Sequence, residues 1–264
     1  MGLLSGKKGV IFGIANKFSI AYAIAKMYRE EGAEIAVNYL NPRLAKSVVP
    51  LAEKIGAKII KECDVNNDEM IDEFFKEVKN EFGEIDFLIH AVAFADKDDL
   101  DGKFINTSRQ GFLMALEVSA FSFVALAKAA FPMLKDGASV MTMTYNGSNR
   151  VIPNYNVMGV AKAALESATR YLANDMGERN IRVNSVSPGP FKTLSSSGIS
   201  QFKKLLHHAE DTAPLRRNVT LDEVAKVCTY LASDLSTGVT GQNIFVDGGF
   251  QIMGLTGKEA NRNG

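Results

Sequence analysis

The sequence predicts a single α/β domain, residues 1–264, built on a doubly wound, seven-stranded parallel sheet with helices on both faces. Two observations indicate this class. Seven short apolar runs alternate along the chain with longer stretches of helical period, which is the pattern of parallel strands joined by crossover helices. Most of these runs are continuously apolar, as expected for strands that are covered on both faces.

The predicted strands are, in chain order, GVIFGIA (9–15), AEIAVNY (33–39), AKIIKEC (57–63), IDFLIHAVA (85–93), ASVMTMT (138–144), IRVNSVS (181–187) and QNIFVD (242–247). Helical period fills most of the sequence between them, and the two longest apolar helices are predicted over 108–131 and 155–177. Several helical stretches end in glycine, which is typical of a helix C-cap. The chain contains no repeat, low-complexity segment or linker, so we expect one domain.

Composition and charge exclude several classes of function. The chain carries 30 basic and 30 acidic residues, so it lacks the positive field that nucleic acids or anionic membranes require. The apolar runs are shorter than the ~20 residues of a membrane span, and the N-terminus enters a strand pattern without a signal peptide. Cys63 and Cys228 are too few for a disulfide framework or a metal site. We expect a cytoplasmic protein with no metal, nucleic-acid or membrane partner.

In a sheet of this kind, ligands bind outside the carboxyl ends of the strands. The first strand end, GIANKFSIA, keeps only Gly13 of the dinucleotide signature G-x-G-x-x-G. Backbone N–H groups at the start of the first helix, with the Ser19 hydroxyl, could still hold a phosphate. The alternative is a plain strand-to-helix turn in which Ser19 is the N-cap. The sequence alone leaves both interpretations open.

The next strand ends carry weaker signals. Asp64, in CDV, stands where a carboxylate could accept a hydrogen bond from an adenine amino group, or it is a solvated turn residue. The segment NYLNPR has no acidic residue for a ribose and only Arg43 for a 2′-phosphate. His90 lies in an apolar strand, and we interpret it as a hydrogen-bonded core residue rather than a base.

A tyrosine and a lysine share one predicted helix at an unusual spacing. Tyr155 precedes Lys162 by seven residues, close to two turns, so both project from one face about 10 Å apart along the axis. Gly159 stands where a spacing of four would place the lysine, and Tyr145 ends the fifth strand. A nearby cation favours ionisation of a phenol, so the pair predicts a lowered tyrosine pKa. The alternative is an ordinary surface helix.

These motifs together resemble the enoyl-acyl-carrier-protein reductases of bacterial fatty-acid synthesis, a divergent branch of the short-chain dehydrogenase/reductase superfamily with a Rossmann-type fold. The resemblance runs from GKKGVIFGIAN to FVDGGF. It is most specific in GIANKFSIAYAIA, CDV, IPNYNVMGVAKAALE, RVNSVSPGP and GPFKTLSSSGI. A Tyr-x6-Lys pair with a second tyrosine ten residues upstream is the hallmark of this branch.

The resemblance implies the site residues. The catalytic group would be Tyr145, Tyr155 and Lys162. The dinucleotide would contact Gly13, Ser19, Ile20, Leu40, Asp64, Val65, Val92, Lys162, Phe191, Lys192, Thr193, Leu194 and Ser195. The acyl substrate would contact Ala95, Tyr145, Tyr155, Met158, Ile199 and Phe202, with a substrate-binding loop or helices at about 191–210.

The resemblance also implies the reaction and its partners. The enzyme would reduce trans-2-enoyl thioesters on acyl-carrier protein in the last reductive step of type II fatty-acid elongation, as a homotetramer. NYLNPR has no strong basic cluster, which favours NADH, with NADPH as the alternative. Lys203, Lys204, Arg216 and Arg217 are candidates for docking an acidic carrier protein, or are simply solvated charges. The chain departs from the family pattern at Leu40, at the NG after Tyr145 and at Pro188.

Two alternative functions would require different residues. A carbonyl-reducing short-chain dehydrogenase would need a lysine four residues after Tyr155 and a serine about a dozen residues before it, where this chain has Gly159 and Thr142. A non-catalytic dinucleotide-binding regulator would keep GIANKFSIA but has no need of two tyrosines together with Lys162.

Overall fold

A seven-stranded parallel sheet forms the centre of the fold. We describe it from a computed structural model that covers residues 2–191 and 202–254, apart from the side chains at 202 and 203. The strands are β1 (Lys8–Phe12), β2 (Glu34–Tyr39), β3 (Ile59–Glu62), β4 (Ile85–His90), β5 (Leu134–Met143), β6 (Arg182–Pro188) and β7 (Asn243–Val246). Their order is β3-β2-β1-β4-β5-β6-β7, and every pairing is parallel. The predicted doubly wound class is confirmed.

Two strands, β1 and β4, end three residues earlier than the sequence predicts. β1 ends at Phe12 instead of residue 15, and β4 ends at His90 instead of residue 93. The cause at β1 is Gly13, whose φ of +109° turns the chain out of the sheet. β1 and β4 are neighbours, and strand order reverses here, so their early ends open a crevice at the topological switch point.

Helices cover both faces of the sheet. They are α1 (Ile20–Glu30), α2 (Pro42–Lys54), α3 (Asp68–Phe82), α4 (Lys97–Leu100), α5 (Arg109–Leu116), α6 (Ser122–Ala130), α7 (Asn156–Met176), α8 (Phe202–Thr212) and α9 (Leu221–Ala232). Polar side chains fix several starts: Asn41 and Asn67 accept from backbone amides of α2 and α3, and Thr220 forms a capping box with Glu223. The start of α8 falls in the predicted substrate segment.

The core lies in two layers, one on each side of the sheet. Val10 and Phe12 pack with α3 and α6, whereas Ile11 packs with α1 and α9. Successive side chains of a strand point to opposite faces, so β1 is buried on both sides. This arrangement explains why the strand runs are continuously apolar.

A long apolar helical segment spans α5 and α6. The helical run Arg109–Met133 is long and apolar enough to cross a membrane by length and composition alone, and 39% of its most apolar stretch is buried inside the protein. Ala115, Phe123 and Leu126 are completely buried. Leu113 and Phe121 remain exposed. A five-residue π-helical turn, Glu117–Phe121, divides the run.

Candidate active site

A cavity of about 1390 Å³ opens at the carboxyl ends of the strands, beside the switch point. The predicted site residues that line it are Gly13, Ser19, Ile20, Leu40, Asp64, Val65, Val92, Ala95, Tyr145, Tyr155, Met158, Lys162 and Phe191. The predicted residues Lys192, Thr193, Leu194, Ser195 and Ile199 lie outside the described residues, as does the Phe202 side chain. Residues from six strand ends therefore meet at one cavity.

The first turn of the cavity is built around Gly13. A Cβ at this position would lie 2.3 Å from the Ala91 carbonyl oxygen, so no side chain fits without displacing the backbone. The Gly13 N–H donates to Asn38 Oδ1 at 3.1 Å, and Asn38 Nδ2 donates to the Cys63 carbonyl at 2.9 Å. Asn38 thus ties together the ends of β1, β2 and β3. A flat ligand can approach the exposed backbone closely.

Ser19 precedes α1 but does not cap it with its side chain. Its hydroxyl oxygen instead accepts from the Ala15 and Asn16 amides, each at 3.0 Å. The hydroxyl hydrogen takes no part in these two bonds and can donate to an anion. The first N–H groups of a helix have no partner within the helix, so the start of α1 beside the Ser19 hydroxyl has the geometry that suits an anion.

One end of the cavity is formed by the ends of β2 and β3. Leu40 and Asp64 both line it. Asp64 Oδ1 accepts from the Asn66 amide at 3.0 Å, which is the turn role, and its position on the cavity wall also suits the ligand role. Arg43 is exposed and is not among the lining residues.

Two tyrosines lie edge to face at the other end of the cavity. The ring centroids of Tyr145 and Tyr155 are 5.0 Å apart. The Tyr145 hydroxyl is buried and has no hydrogen-bond partner among the described residues. A buried polar group without a partner is costly, so this hydroxyl indicates that a ligand completes the site.

Lys162 approaches the same place from α7. Its side chain is buried, and Nζ donates to the Met143 carbonyl at 2.7 Å. Burial lowers the pKa of Lys162 to about 8, and the Glu166 carboxylate opposes that shift. An ammonium near its titration point, in a cavity that two phenols also line, is typical of a functional site.

The predicted lowering of the tyrosine pKa is wrong. Burial raises the pKa of Tyr155 well above its usual value, and Tyr145 and Glu166 raise it further. Burial and the Asp247 carboxylate likewise raise the pKa of Tyr145. Desolvation is the largest cause of both shifts, so both phenols are neutral.

Two glycines explain why the lysine stands seven residues after the tyrosine. A Cβ on Gly159 would lie 2.8 Å from the Gly147 carbonyl oxygen, and a Cβ on Gly147 would lie 2.4 Å from the Tyr155 ring. Helix α7 and the segment after Tyr145 therefore pack backbone to backbone. The position that a spacing of four would give to lysine has no room for a side chain.

Two important residues were missed in the sequence. Asn38 was counted as part of an apolar strand, although an amide inside a buried strand signals a specific hydrogen-bonding role. Glu166 follows Lys162 by four residues, a spacing that places both on one helix face. Glu166 is also buried. Among the described residues, no group of three His, Cys, Asp or Glu side chains is placed to hold a metal ion.

The interpretation of His90 as a core residue is confirmed. The side chain is completely buried, with Nδ1 2.7 Å from Thr142 Oγ1 and Nε2 2.9 Å from Ser122 Oγ. Thr142 stands where a carbonyl-reducing relative would need its serine, and its hydroxyl is instead bonded to His90 in the core. This contact disfavours the carbonyl-reductase alternative.

His90 makes the stability of the fold depend on pH. Burial, aided by Lys162, lowers the pKa of His90 from 6.5 to about 3. The unfolded chain therefore binds one more proton between these values, and stability falls as pH falls through this window.

We expect His90→Gln to reduce the slope of unfolding free energy against pH by about 1.4 kcal/mol per unit. Urea unfolding between about pH 4 and 6 measures it. An unchanged slope in His90→Gln would contradict the assignment.

The chain is similar in sequence and in fold to known reductases. The family model described as enoyl-(acyl carrier protein) reductase matches residues 13–251. The enoyl-[acyl-carrier-protein] reductase [NADH] FabI of Rickettsia bellii is 51% identical over 253 residues, which are 96% of this chain and 97% of that protein.

Two solved structures superpose closely. The Anaplasma phagocytophilum enoyl-(acyl-carrier-protein) reductase, solved in complex with NAD, has a TM-score of 0.93 and 47% identity, covering 97% of each chain. The Bacillus cereus enoyl-acyl carrier protein reductase, solved with NADP+ and an indole naphthyridinone, has a TM-score of 0.94 and 46% identity, covering 97% of this chain and all of that one. The chain therefore belongs to the enoyl-(acyl carrier protein) reductase family.

Proposed function

We propose that the protein reduces trans-2-enoyl thioesters on acyl-carrier protein to saturated acyl thioesters in fatty-acid elongation, with NADH as the hydride source. The observation that carries this proposal is the pair of neutral phenols, 5.0 Å apart between centroids, beside the buried Lys162 at the switch-point cavity. A non-catalytic regulator would gain nothing from an unpaired buried hydroxyl at Tyr145.

The cavity fits a dinucleotide. Gly13, Ser19 and Ile20 would hold the pyrophosphate, since Gly13 leaves its backbone bare and the start of α1 attracts anions. Asp64 and Val65 would contact the adenine, and Val92 and Lys162 the nicotinamide riboside. The dihydronicotinamide, when bound, would supply a hydride to the substrate β-carbon, and the α-carbon then takes up a proton to give the saturated thioester.

The chain's own residues handle the charge that develops on the substrate. Tyr155 would donate a hydrogen bond to the thioester oxygen, where negative charge builds as the β-carbon is reduced. A donor fixed in a buried site stabilises such charge without reorganising. The raised pKa of Tyr155 suits this role, because the phenol keeps its proton until the charge forms. Tyr145 packs edge to face against the Tyr155 ring and would support its position beside the substrate.

The adenosine end supports NADH over NADPH. Leu40 is 41% exposed and presents an apolar side chain where a 2′-phosphate would need a cation. The Asn41 side chain is already engaged with the Leu44 amide at 3.0 Å.

We propose further that residues 1–264 act as one cytoplasmic domain that assembles into a homotetramer and uses the segment at about 191–210 to bind the acyl chain. The exposed apolar side chains of Leu113, Phe121 and Tyr171 on α5, the π-helical turn and α7 support assembly. Carrier-protein docking is best supported at Lys204 and Arg216, which are exposed. Arg217 is paired with Glu223 at 2.7 Å, so its charge is already balanced.

The direct test is the loss of NADH absorbance, and in parallel NADPH absorbance, with crotonyl and longer trans-2-enoyl thioesters. We expect oxidation that depends on the enoyl substrate and a higher kcat/KM with NADH. Oxidation with a 3-ketoacyl thioester but not with an enoyl thioester would favour the carbonyl-reductase alternative. Binding of NADH without oxidation by any thioester would favour the regulator.

A further inference from the structure

A buried carboxylate lies behind the catalytic group. Glu166, on α7, is 8% exposed and accepts three hydrogen bonds. Thr144 Oγ1 donates to Oε1 at 2.7 Å, Ser148 Oγ donates to Oε1 at 2.5 Å, and Asn149 Nδ2 lies 3.4 Å from Oε2. Burying a carboxylate is costly unless it is paired and hydrogen-bonded, so this arrangement requires an explanation.

The three donors flank Tyr145. Thr144 immediately precedes it, where the chain leaves β5, and Ser148 and Asn149 follow it within one turn. We call residues 144–149 the Tyr145 segment. Glu166 therefore fastens both ends of this segment to the helix that also carries Lys162 and begins directly after Tyr155. The distance between the two tyrosine rings depends on that attachment.

Glu166 also lies one helical turn from Lys162. Residues four apart share a helix face with Cβ atoms roughly 5–6 Å apart, and both side chains are buried. A buried ammonium is stable only with a compensating charge. Among the described groups, Glu166 is the one whose charge favours the protonated lysine.

The other ionisable groups around the site do not supply that charge. Tyr155 on α7 and Tyr145 are neutral phenols, because burial raises their pKa values. His90, on β4, faces Lys162 but is held neutral, because burial lowers its pKa to about 3. Asp247, after β7, raises the pKa of Tyr145. Its carboxylate accepts hydrogen bonds from the Gly249 and Gln251 amides.

We propose that Glu166 is a positioning residue that holds the Tyr145 segment against α7 and keeps Lys162 in the ammonium form required for binding the nicotinamide ribose. This inference rests on the proposed function for the role of Lys162. It assigns two consequences to one carboxylate: the geometry of the tyrosine pair and the charge of the lysine.

The test is Glu166→Gln, studied by NADH binding without any enoyl substrate. Glutamine keeps the shape and one oxygen that can accept from Thr144 and Ser148, but it removes the charge. The wild-type affinity for NADH should fall as pH rises through about 8. In the variant this fall should move down by about one pH unit or more. The variant should then bind NADH about fivefold more weakly than wild type at pH 8 and equally well near pH 6, as measured by nicotinamide fluorescence.

Two control variants separate charge from shape. Asn149→Ala removes the longest of the three contacts and keeps the carboxylate, so its pH profile should match that of wild type. Glu166→Asp keeps the charge on a shorter side chain, so it should lower kcat but keep the wild-type pH dependence. Parallel pH profiles for Glu166→Gln and wild type would overturn the proposal, as would an equal shift in Glu166→Asp.

Ser148→Ala keeps the test decisive if Glu166→Gln fails to fold. It retains the carboxylate and releases one end of the Tyr145 segment, so we expect a lower kcat with unchanged NADH affinity at every pH. A wild-type kcat would overturn the positioning role. If the wild-type protein bound NADH but reduced no enoyl thioester, the proposed function would be overturned. The pH profile of NADH binding would still test whether Glu166 controls the charge of Lys162.

Discussion

Replacing Lys162 with methionine is expected to weaken NADH binding about a hundredfold and to lower kcat/KM further. Methionine has a similar volume and fits a buried site, so the fold should persist. The change removes the only ammonium on α7, a charged donor whose hydrogen bonds are each worth about 1.5–3 kcal/mol. Fluorescence titration measures the affinity for NADH, and steady-state kinetics measure kcat/KM.

Arg170→Met is the matched control, because Arg170 is an exposed cation two turns further along the same helix. Arg170→Met should leave both the NADH affinity and kcat/KM unchanged. Tyr155→Phe provides the complementary comparison: kcat should fall while NADH affinity stays near wild type, since the phenol acts on the substrate. If Lys162→Met bound NADH as tightly as wild type, the role assigned to the lysine would be wrong.

The second large effect is expected for Gly13→Ala. The new Cβ would lie 2.3 Å from the Ala91 carbonyl oxygen at a φ of +109°. The first turn must therefore move, which disrupts both the Asn38 hydrogen bond and the anion site at α1. We expect a loss of about 2–4 kcal/mol in stability and at least a tenfold weaker affinity for NADH.

Gly6→Ala separates conformational strain from the steric clash. Gly6 also has a positive φ, +77°, but nothing lies within 4 Å of its Cβ position. Its replacement should cost about 1 kcal/mol through backbone strain alone and leave NADH binding intact. Equal losses of NADH affinity in the two variants would show that the close approach of Gly13 to Ala91 is not what shapes the site.

The fold was predictable because strands that are buried on both faces have continuously apolar sequences. Each of the seven apolar runs contains or overlaps a strand. The cavity lies at the carboxyl ends of these strands. The end of β1 was misplaced because the apolar run continues to Ala15, whereas the backbone turns at Gly13. Hydrophobicity records which side chains are buried but not where the backbone leaves the sheet.

The site was predicted less completely, and electrostatics explains why. The positions of Tyr145, Tyr155 and Lys162 followed from strand ends, helix period and family resemblance. The tyrosine pKa was predicted in the wrong direction because the depth of burial, which dominates it, depends on packing between distant segments. Glu166 and Asn38 were missed for the same reason, since their partners come from elements that only the folded chain brings together.

The backbone contact between Gly147 and Gly159 limits how this enzyme can change. A carbonyl-reducing relative needs a lysine at position 159, yet any side chain there meets the Gly147 carbonyl oxygen. The loop after β5 would first have to move, and that movement would release Tyr155 from the surface on which its ring rests. A lysine placed at position 159 alone would therefore disturb the Tyr155 ring before it could serve a new chemistry.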